Sequence, residues 1–382
     1  MLQLRIPLPR FISAGEVLHG KGSLSALRML DGVQVAVVGS QSVLMHHREQ
    51  IERSINHMKL SVIEYSGGEP TSESVGRLAE EIRPSRPNWI VAIGGGSVLD
   101  AAKLAWVLYE QPETDFEYLS RPFALRGLRG CCRFVAVPTT AGTGTEVSSA
   151  AVLTDVRSGR KKVIVSHELL PDISILDPSL TLNVPKSALV AAGMDALSHS
   201  VESYVSRFAN PFADVQAEKS ISMILRALAS TISDPENVEV RMEMMLAAMM
   251  AGWVQNLKVP GLGHALAHQL GQFGIAHGIA CGGLLLPAVR ANLTDDLVKS
   301  RYQQLAKSLG LKDVNGLLDR IAELKAAVDF PDRLSAAATG PVEMSAGKKA
   351  VVFEGAKSDM CARANPISLT DAILEEVLGE AW

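Results

Sequence analysis

Cysteine is scarce in this chain: Cys131, Cys132, Cys281 and Cys361 are the only ones, they form no CxxC and no evenly spaced framework, and a disulfide-stapled scaffold is excluded. That usage fits a reducing, cytoplasmic compartment. The net charge is only −4 over 382 residues, so the basic footprint of a nucleic-acid binder is missing. Long apolar runs are also missing. The most apolar stretch, Met242 to Val254, carries Glu243 and is too short to span a bilayer, so it reads as a buried helix and no membrane is expected as a partner. Two prolines and two arginines break Met1–Arg10 before an apolar core of signal-peptide length can form, and no export signal is expected. Neither GxGxxG nor GxxxxGK[ST] occurs, which removes the ordinary dinucleotide and P-loop fingerprints. There is no internal repeat and no low-complexity tract.

The composition that remains, 47% hydrophobic and 20% charged, is that of an ordered globular protein, and the length suits two domains. The first half alternates strand and helix signals. Val33–Val38, Leu60–Glu64, Asn88–Ile93 and Arg133–Val137 read as strands, while Gln41–Met58 and Ser72–Ile82 read as helices, the latter capped by Thr71 or Ser72. This alternation predicts an α/β domain with a mainly parallel, Rossmann-like sheet. From about Pro185 the strand signals cease, and Lys186–Arg207, Pro211–Ser230, Glu236–Gln255 and Ser300–Leu309 show helical periodicity. With Asn183-Val-Pro185 as hinge, the expected division is an α/β domain over 1–184 and an all-α domain over 185–382.

Chemistry concentrates between Gly193 and Gly278. Asp195 and His199 stand four residues apart, as do His264 and His268, so each pair projects from one helical face, and His277 follows a short glycine-bearing turn. A lone histidine on an apolar helix is usually a satisfied core residue. Here, however, His199, His264, His268 and His277 fall in one window out of nine histidines in the chain, and a buried Asp195 without compensation would be costly. The pattern predicts a divalent-metal site, and spacing alone leaves His268 as eligible a ligand as His277.

Two glycine-rich turns follow strands. In Gly94-Gly-Gly-Ser-Val-Leu-Asp100-Ala-Ala-Lys103 the backbone can approach a pyrophosphate while a new helix presents its free N–H groups; Thr139-Thr-Ala-Gly-Thr143 adds hydroxyl donors.

These residues carry a family resemblance. GGGSVLDAAK at Gly94, PTTAGTGTEVS at Pro138, LDPSLT at Leu176, GMDALSHSVESYVS at Gly193 and GLGHALAHQLG at Gly261 resemble, in order and spacing, the motifs of the iron-dependent (group III) alcohol dehydrogenases, whose fold is that of dehydroquinate synthase. The likeness spans nearly the whole chain. It implies that Asp195, His199, His264 and His277 bind the metal, Fe(II) in preference to Zn(II), and that His268 lies beside nicotinamide and substrate. It further implies that Gly95, Gly96, Ser97, Thr139, Thr140, Thr143 and Lys161 contact NAD or NADP in a cleft between the domains, with Glu69-Pro70-Thr71 near the adenosine. The chain departs from the family pattern at Ala276-His277-Gly278, usually Pro-His-Gly, at Val98, usually proline, and at Ser40, where an aspartate for the adenosine ribose often stands.

The implied activity is hydride transfer between NAD(P) and a small alcohol or aldehyde, with a homodimer or higher homo-oligomer expected. A glycerol-dehydrogenase-like zinc enzyme is the nearer alternative. A dehydroquinate-synthase-like lyase is the more distant one, because the ligand-bearing segments are poor in the Lys and Arg that a polyanionic substrate would need. Trp253, Gln255, Asn256 and Phe273 are candidate pocket residues on sequence grounds.

Overall fold

A computed structural model describes residues 13–119, 121, 124–154, 161–340 and 342–382, so the expectation for Met1–Arg10 lies outside the described residues. Contacts divide the chain into two compact units. One runs up to Thr140 and resumes over Gly144–Val184; the other joins Ala141–Thr143 to Pro185–Trp382.

The first unit is built on a six-stranded sheet. Strands β1 (Glu16–His19), β2 (Gln34–Gly39), β3 (Lys59–Glu64), β4 (Trp89–Gly94), β5 (Arg133–Pro138) and β8 (Ile173–Leu176) lie in the order β1-β8-β5-β4-β2-β3, every pair parallel. Strands β6 (Ala150–Thr154) and β7 (Lys161–Val165) form a separate antiparallel pair. The central strands are near-continuous apolar runs because both faces are covered. Ala36, Val38, Ile90, Ala92, Phe134 and Ala136 pack with helices α2 (Ser72–Ile82) and α3 (Gly96–Glu110), whereas Val35, Val37, Val91, Ile93, Val135 and Val137 pack with α1 (Gln41–Ser54) and a 3-10 turn at Ser23–Met29. Alternate side chains of each strand thus feed two cores. A one-turn helix α4 (Phe116–Leu119) follows α3.

The strand order places a switch point between β2 and β4. The chain leaves β2 toward β3 on one side and returns to β4 on the other, so the loops after Gly39 and Gly94 open at adjacent carboxyl ends, the usual ligand position in such sheets. Thr71 caps α2 with a complete capping box, its hydroxyl accepting from Ser74 N while the Ser74 hydroxyl accepts from Thr71 N.

One buried cation fixes the segment after β5. Lys103, wholly buried on α3, donates from Nζ to the carbonyls of Thr145 and Ser148, each at 2.7 Å, and more weakly to that of Ala150. Burial pushes this amine down to about 8, against the attraction of Asp100 and Glu146. Lys103→Met keeps the length but takes a donor from buried carbonyls, and it is expected to cost about 3 kcal/mol in urea unfolding. An unchanged midpoint would mean that other groups hold the segment.

The second unit is helical: α5 (Lys186–Tyr204), α6 (Pro211–Ser233), α7 (Val238–Lys258), α8 (Leu262–Leu270), α9 (His277–Asn292), α10 (Asp296–Ser308), α11 (Val314–Ala327), α12 (Ala346–Ser358), α13 (Met360–Ala364) and α14 (Asp371–Ala381). Helix α7 contains the apolar Met242–Val254 run and buries Met244, Met245, Ala248 and Val254. Among the described residues no helix is long and apolar enough to cross a membrane.

Several expected bounds shift. The helix expected over Gln41–Met58 stops at Ser54, because the chain must turn at Ile55–Met58 to enter β3 in register with β2. Strands β1, β6, β7 and β8 were not anticipated; none exceeds five residues, too short a span for periodicity to register.

Candidate metal centre and cofactor turns

Helices α5, α8 and α9 bring the chemistry of the second unit together. Asp195 and His199 lie one turn apart on α5, His264 and His268 one turn apart on α8, and His277 opens α9. Gly278 permits the close approach of α9 to α5, since a Cβ there would lie 2.0 Å from the carbonyl oxygen of Ala191. The Asp195 carboxylate is the focus. Its Oδ1 lies 3.6 Å from His264 Nε2, 3.6 Å from His277 Nε2 and 3.8 Å from His199 Nε2.

Those separations are too long for hydrogen bonds but match the edge of a metal coordination shell. Donors 2.0–2.2 Å from a common tetrahedral ion lie roughly 3.4 Å apart. Asp195 Oδ1 and His264 Nε2 are buried without a hydrogen-bond partner, although their residues are only 3% and 1% exposed. Burial opposes ionisation of Asp195, yet the imidazoles of His199, His277 and His264 outweigh it and hold the carboxyl far below its ordinary range. A buried, ionised carboxylate facing three imidazole nitrogens is the donor set a divalent cation satisfies.

Two carboxylates absent from the sequence reading orient the histidines. Glu202, 2% exposed and on α5, accepts from His264 Nδ1 at 2.9 Å and from the backbone N–H of Gly261 at 3.0 Å. That bond fixes the ring with His264 Nε2 toward Asp195, where a metal would take its lone pair. Asp359, the N-cap of α13, does the same for His268, accepting from Nδ1 at 2.8 Å. The His268 ring stacks on that of His277 at 5.3 Å between centroids, beside the Asp195 cluster. Cys281, one turn after His277 on α9, also joins the group: its Sγ lies with donor atoms of Asp195, His264 and His277, all within 4.8 Å of one another. Burial pushes its thiol up to about 12.

In the first unit, Ser40, Gly95 and Thr139 follow three adjacent strands, β2, β4 and β5. Thr139 N donates to Gly94 O at 2.9 Å, and a Cβ on Gly95 would touch the Thr140 side chain, so the two glycine turns lie against each other. Gly95 is the N-cap of α3, with Gly96 and Ser97 in its first turn, where free N–H groups concentrate. Ser40 caps α1, accepting from Val43 N, and its O–H remains a donor. Lys161 lies on β7 and pairs with Glu69 at 2.7 Å. Thr143 belongs to the helical unit, where Gln255 Nε2 donates to its carbonyl at 2.6 Å. Phe273 packs edge-on against Trp382.

Known proteins fit this arrangement. The family model described as iron-containing alcohol dehydrogenase matches residues 14–178, and that of the Fe-containing alcohol dehydrogenase C-terminal domain matches 189–382. The chain is 31% identical, over 98% of its length and 97% of the other's, to an NADPH-dependent butanol dehydrogenase of Clostridium saccharobutylicum. The solved iron-containing alcohol dehydrogenase of Thermococcus thioreducens shares the fold with a TM-score of 0.90 at 29% identity, covering 97% of this chain and 99% of that one. A sulfoacetaldehyde reductase from Bifidobacterium kashiwanohense, solved in complex with NAD+, aligns at 0.87 and 26% identity over 98% of both chains. These matches set aside the zinc polyol dehydrogenase alternative. With both family models matched along its length, the chain belongs to the iron-containing alcohol dehydrogenase family and is an NAD(P)-dependent oxidoreductase of alcohols and aldehydes.

Proposed function

We propose that this enzyme reduces small aldehydes, or oxidises the matching alcohols, at a centre formed by Asp195, His199, His264 and His277 holding Fe(II). The observation that carries the reading is the buried Asp195 Oδ1, unpaired and 3.6–3.8 Å from three imidazole nitrogens. A bound divalent ion supplies Lewis acidity to an alcohol or carbonyl oxygen, and the nicotinamide carries the hydride.

The protein's own groups do the rest. Asp195 contributes the single negative charge of the ligand set, and Glu202 holds His264 in the tautomer that presents Nε2. His268, fixed by Asp359, presents its second nitrogen beside the cluster, where it orients the substrate oxygen or passes a proton. In the sheet unit, the N–H groups at Gly95, Gly96 and Ser97 and the hydroxyls of Thr139 and Thr140 cradle the pyrophosphate; Lys161 and Thr143 complete the contacts. The division of labour follows the chain, with 1–184 for the dinucleotide and 185–382 for the metal. The close relation to a butanol dehydrogenase supports short aliphatic aldehydes as the substrate class. The test is NADH and NADPH oxidation by the iron-loaded protein across propanal, butanal, hydroxyaldehydes and keto acids; turnover of keto acids alone would refute the aldehyde assignment.

Cofactor choice follows from Ser40. An aspartate there would repel a 2′-phosphate, whereas the Ser40 hydroxyl can donate to one. A groove of about 440 Å³ beside it is lined by Gln41, Arg48 and Glu64, so the local charges oppose each other. Dual use is expected, with no more than about a tenfold preference in kcat/KM, or roughly 1.4 kcal/mol. Since aspartate caps helices as well as serine does, Ser40→Asp should leave α1 intact while abolishing NADPH activity and keeping NADH activity. A hundredfold preference for NADH in the unaltered enzyme would show that another group excludes the phosphate.

A further inference from the structure

The Cys281 thiol has no part in the four-ligand reading, yet it sits inside the same donor cluster. It is fully buried, and its Sγ lies 3.5 Å from His277 Nε2. With metal–sulfur and metal–nitrogen bonds of 2.3 Å and 2.0–2.1 Å, a tetrahedral sulfur–nitrogen edge is roughly 3.6 Å. A carboxylate oxygen of Asp195 and a ring nitrogen of His264 are within 4.8 Å of the same sulfur, and Asp195 Oδ1 and His264 Nε2 are buried and unpartnered. The pocket therefore offers a soft donor in addition to its oxygen and nitrogens.

We propose that Cys281 is a further metal ligand of this centre, one that captures thiophilic divalent cations in a sulfur-ligated form. The inference rests on the metal-centre reading above. On binding, the S–H bond breaks, a metal–sulfur bond forms and the proton leaves to solvent; no oxidation state changes. Sulfur then fills a coordination position that substrate oxygen would otherwise take, so borderline and soft cations such as Co(II), Zn(II) and Cd(II) bind in a closed arrangement, while hard Mn(II) relies on Asp195 and the imidazoles. Selection among metals thereby becomes a property of Cys281.

Cobalt and cadmium supply the probes. The apoprotein loaded with one equivalent of Co(II) should show a thiolate-to-cobalt charge-transfer band in the near ultraviolet, which Cys281→Ala loses while still binding one equivalent with visible d–d bands. Cys281→Ser serves if the alanine variant folds poorly. In competition titrations the Cd(II) dissociation constant should rise by at least about tenfold in either variant, while that for Mn(II) stays within about threefold. Superimposable cobalt spectra for wild type and variant, at full occupancy, would overturn the role of Cys281 and leave the metal centre standing. Failure of the wild-type protein to bind cobalt at all would overturn both.

Discussion

His264→Ala is expected to abolish tight metal binding and to lower kcat/KM by more than about 10³-fold, some 4 kcal/mol of transition-state stabilisation. His264 is almost wholly buried, its Nδ1 is committed to Glu202 and its Nε2 faces Asp195, so the alanine variant loses a nitrogen donor at the centre of the cluster. The alanine also leaves the Glu202 carboxylate buried without its imidazole, at a cost of about 3 kcal/mol in stability. His264→Gln, which retains a donor for Glu202, separates the two effects. Metal analysis and steady-state kinetics decide: one equivalent of retained metal with ordinary turnover in the glutamine variant would remove His264 from the ligand set.

The second large effect is expected at His268, with a different signature. Replacement by alanine should leave metal content near one equivalent and lower kcat/KM by about 10²-fold, the range of a lost proton donor or positioning group. His268 Nδ1 is tied to Asp359, and its ring stacks on that of His277, so its imidazole stands beside the cluster. Asp359→Asn should act in the same direction more weakly, because the amide can still bond but no longer fixes the tautomer. If His268→Ala instead loses its metal, the roles of His268 and His277 must be exchanged.

The two sites were legible in the sequence to different degrees. Asp195, His199, His264 and His268 declare themselves by i, i+4 spacing, a local relation that helix geometry converts directly into a shared face. The strands β2, β3, β4 and β5 declare themselves because apolar, β-branched runs are what a doubly covered sheet demands. Glu202 and Asp359 did not, since their roles arise from contacts between separate helices: Glu202 lies 62 positions from His264, and Asp359 lies 91 from His268. A signal existed for Glu202, a charged residue on the face of α5 next to His199, and for Cys281, which stands at i, i+4 spacing from His277 on α9. Lys103 was similarly opaque. In the sequence it is only the last residue of the glycine motif, whereas in the fold it is buried against the carbonyls of Thr145 and Ser148. The resemblance implies a cofactor contact for Lys161; in the fold it pairs with Glu69, part of the turn that the same resemblance puts near the adenosine.

The most direct measurement is aldehyde-dependent NAD(P)H oxidation, followed together with far-ultraviolet circular dichroism, as the enzyme is stripped by a chelator and reloaded. The extensive apolar core around α8 and α9 does not depend on an ion for its burial, so the account predicts that stripping removes turnover, leaves the helical spectrum in place, and that Fe(II) restores activity. Full activity in protein shown to be metal-free, or loss of the helical fold in step with the metal, would contradict a catalytic centre at Asp195, His199, His264 and His277.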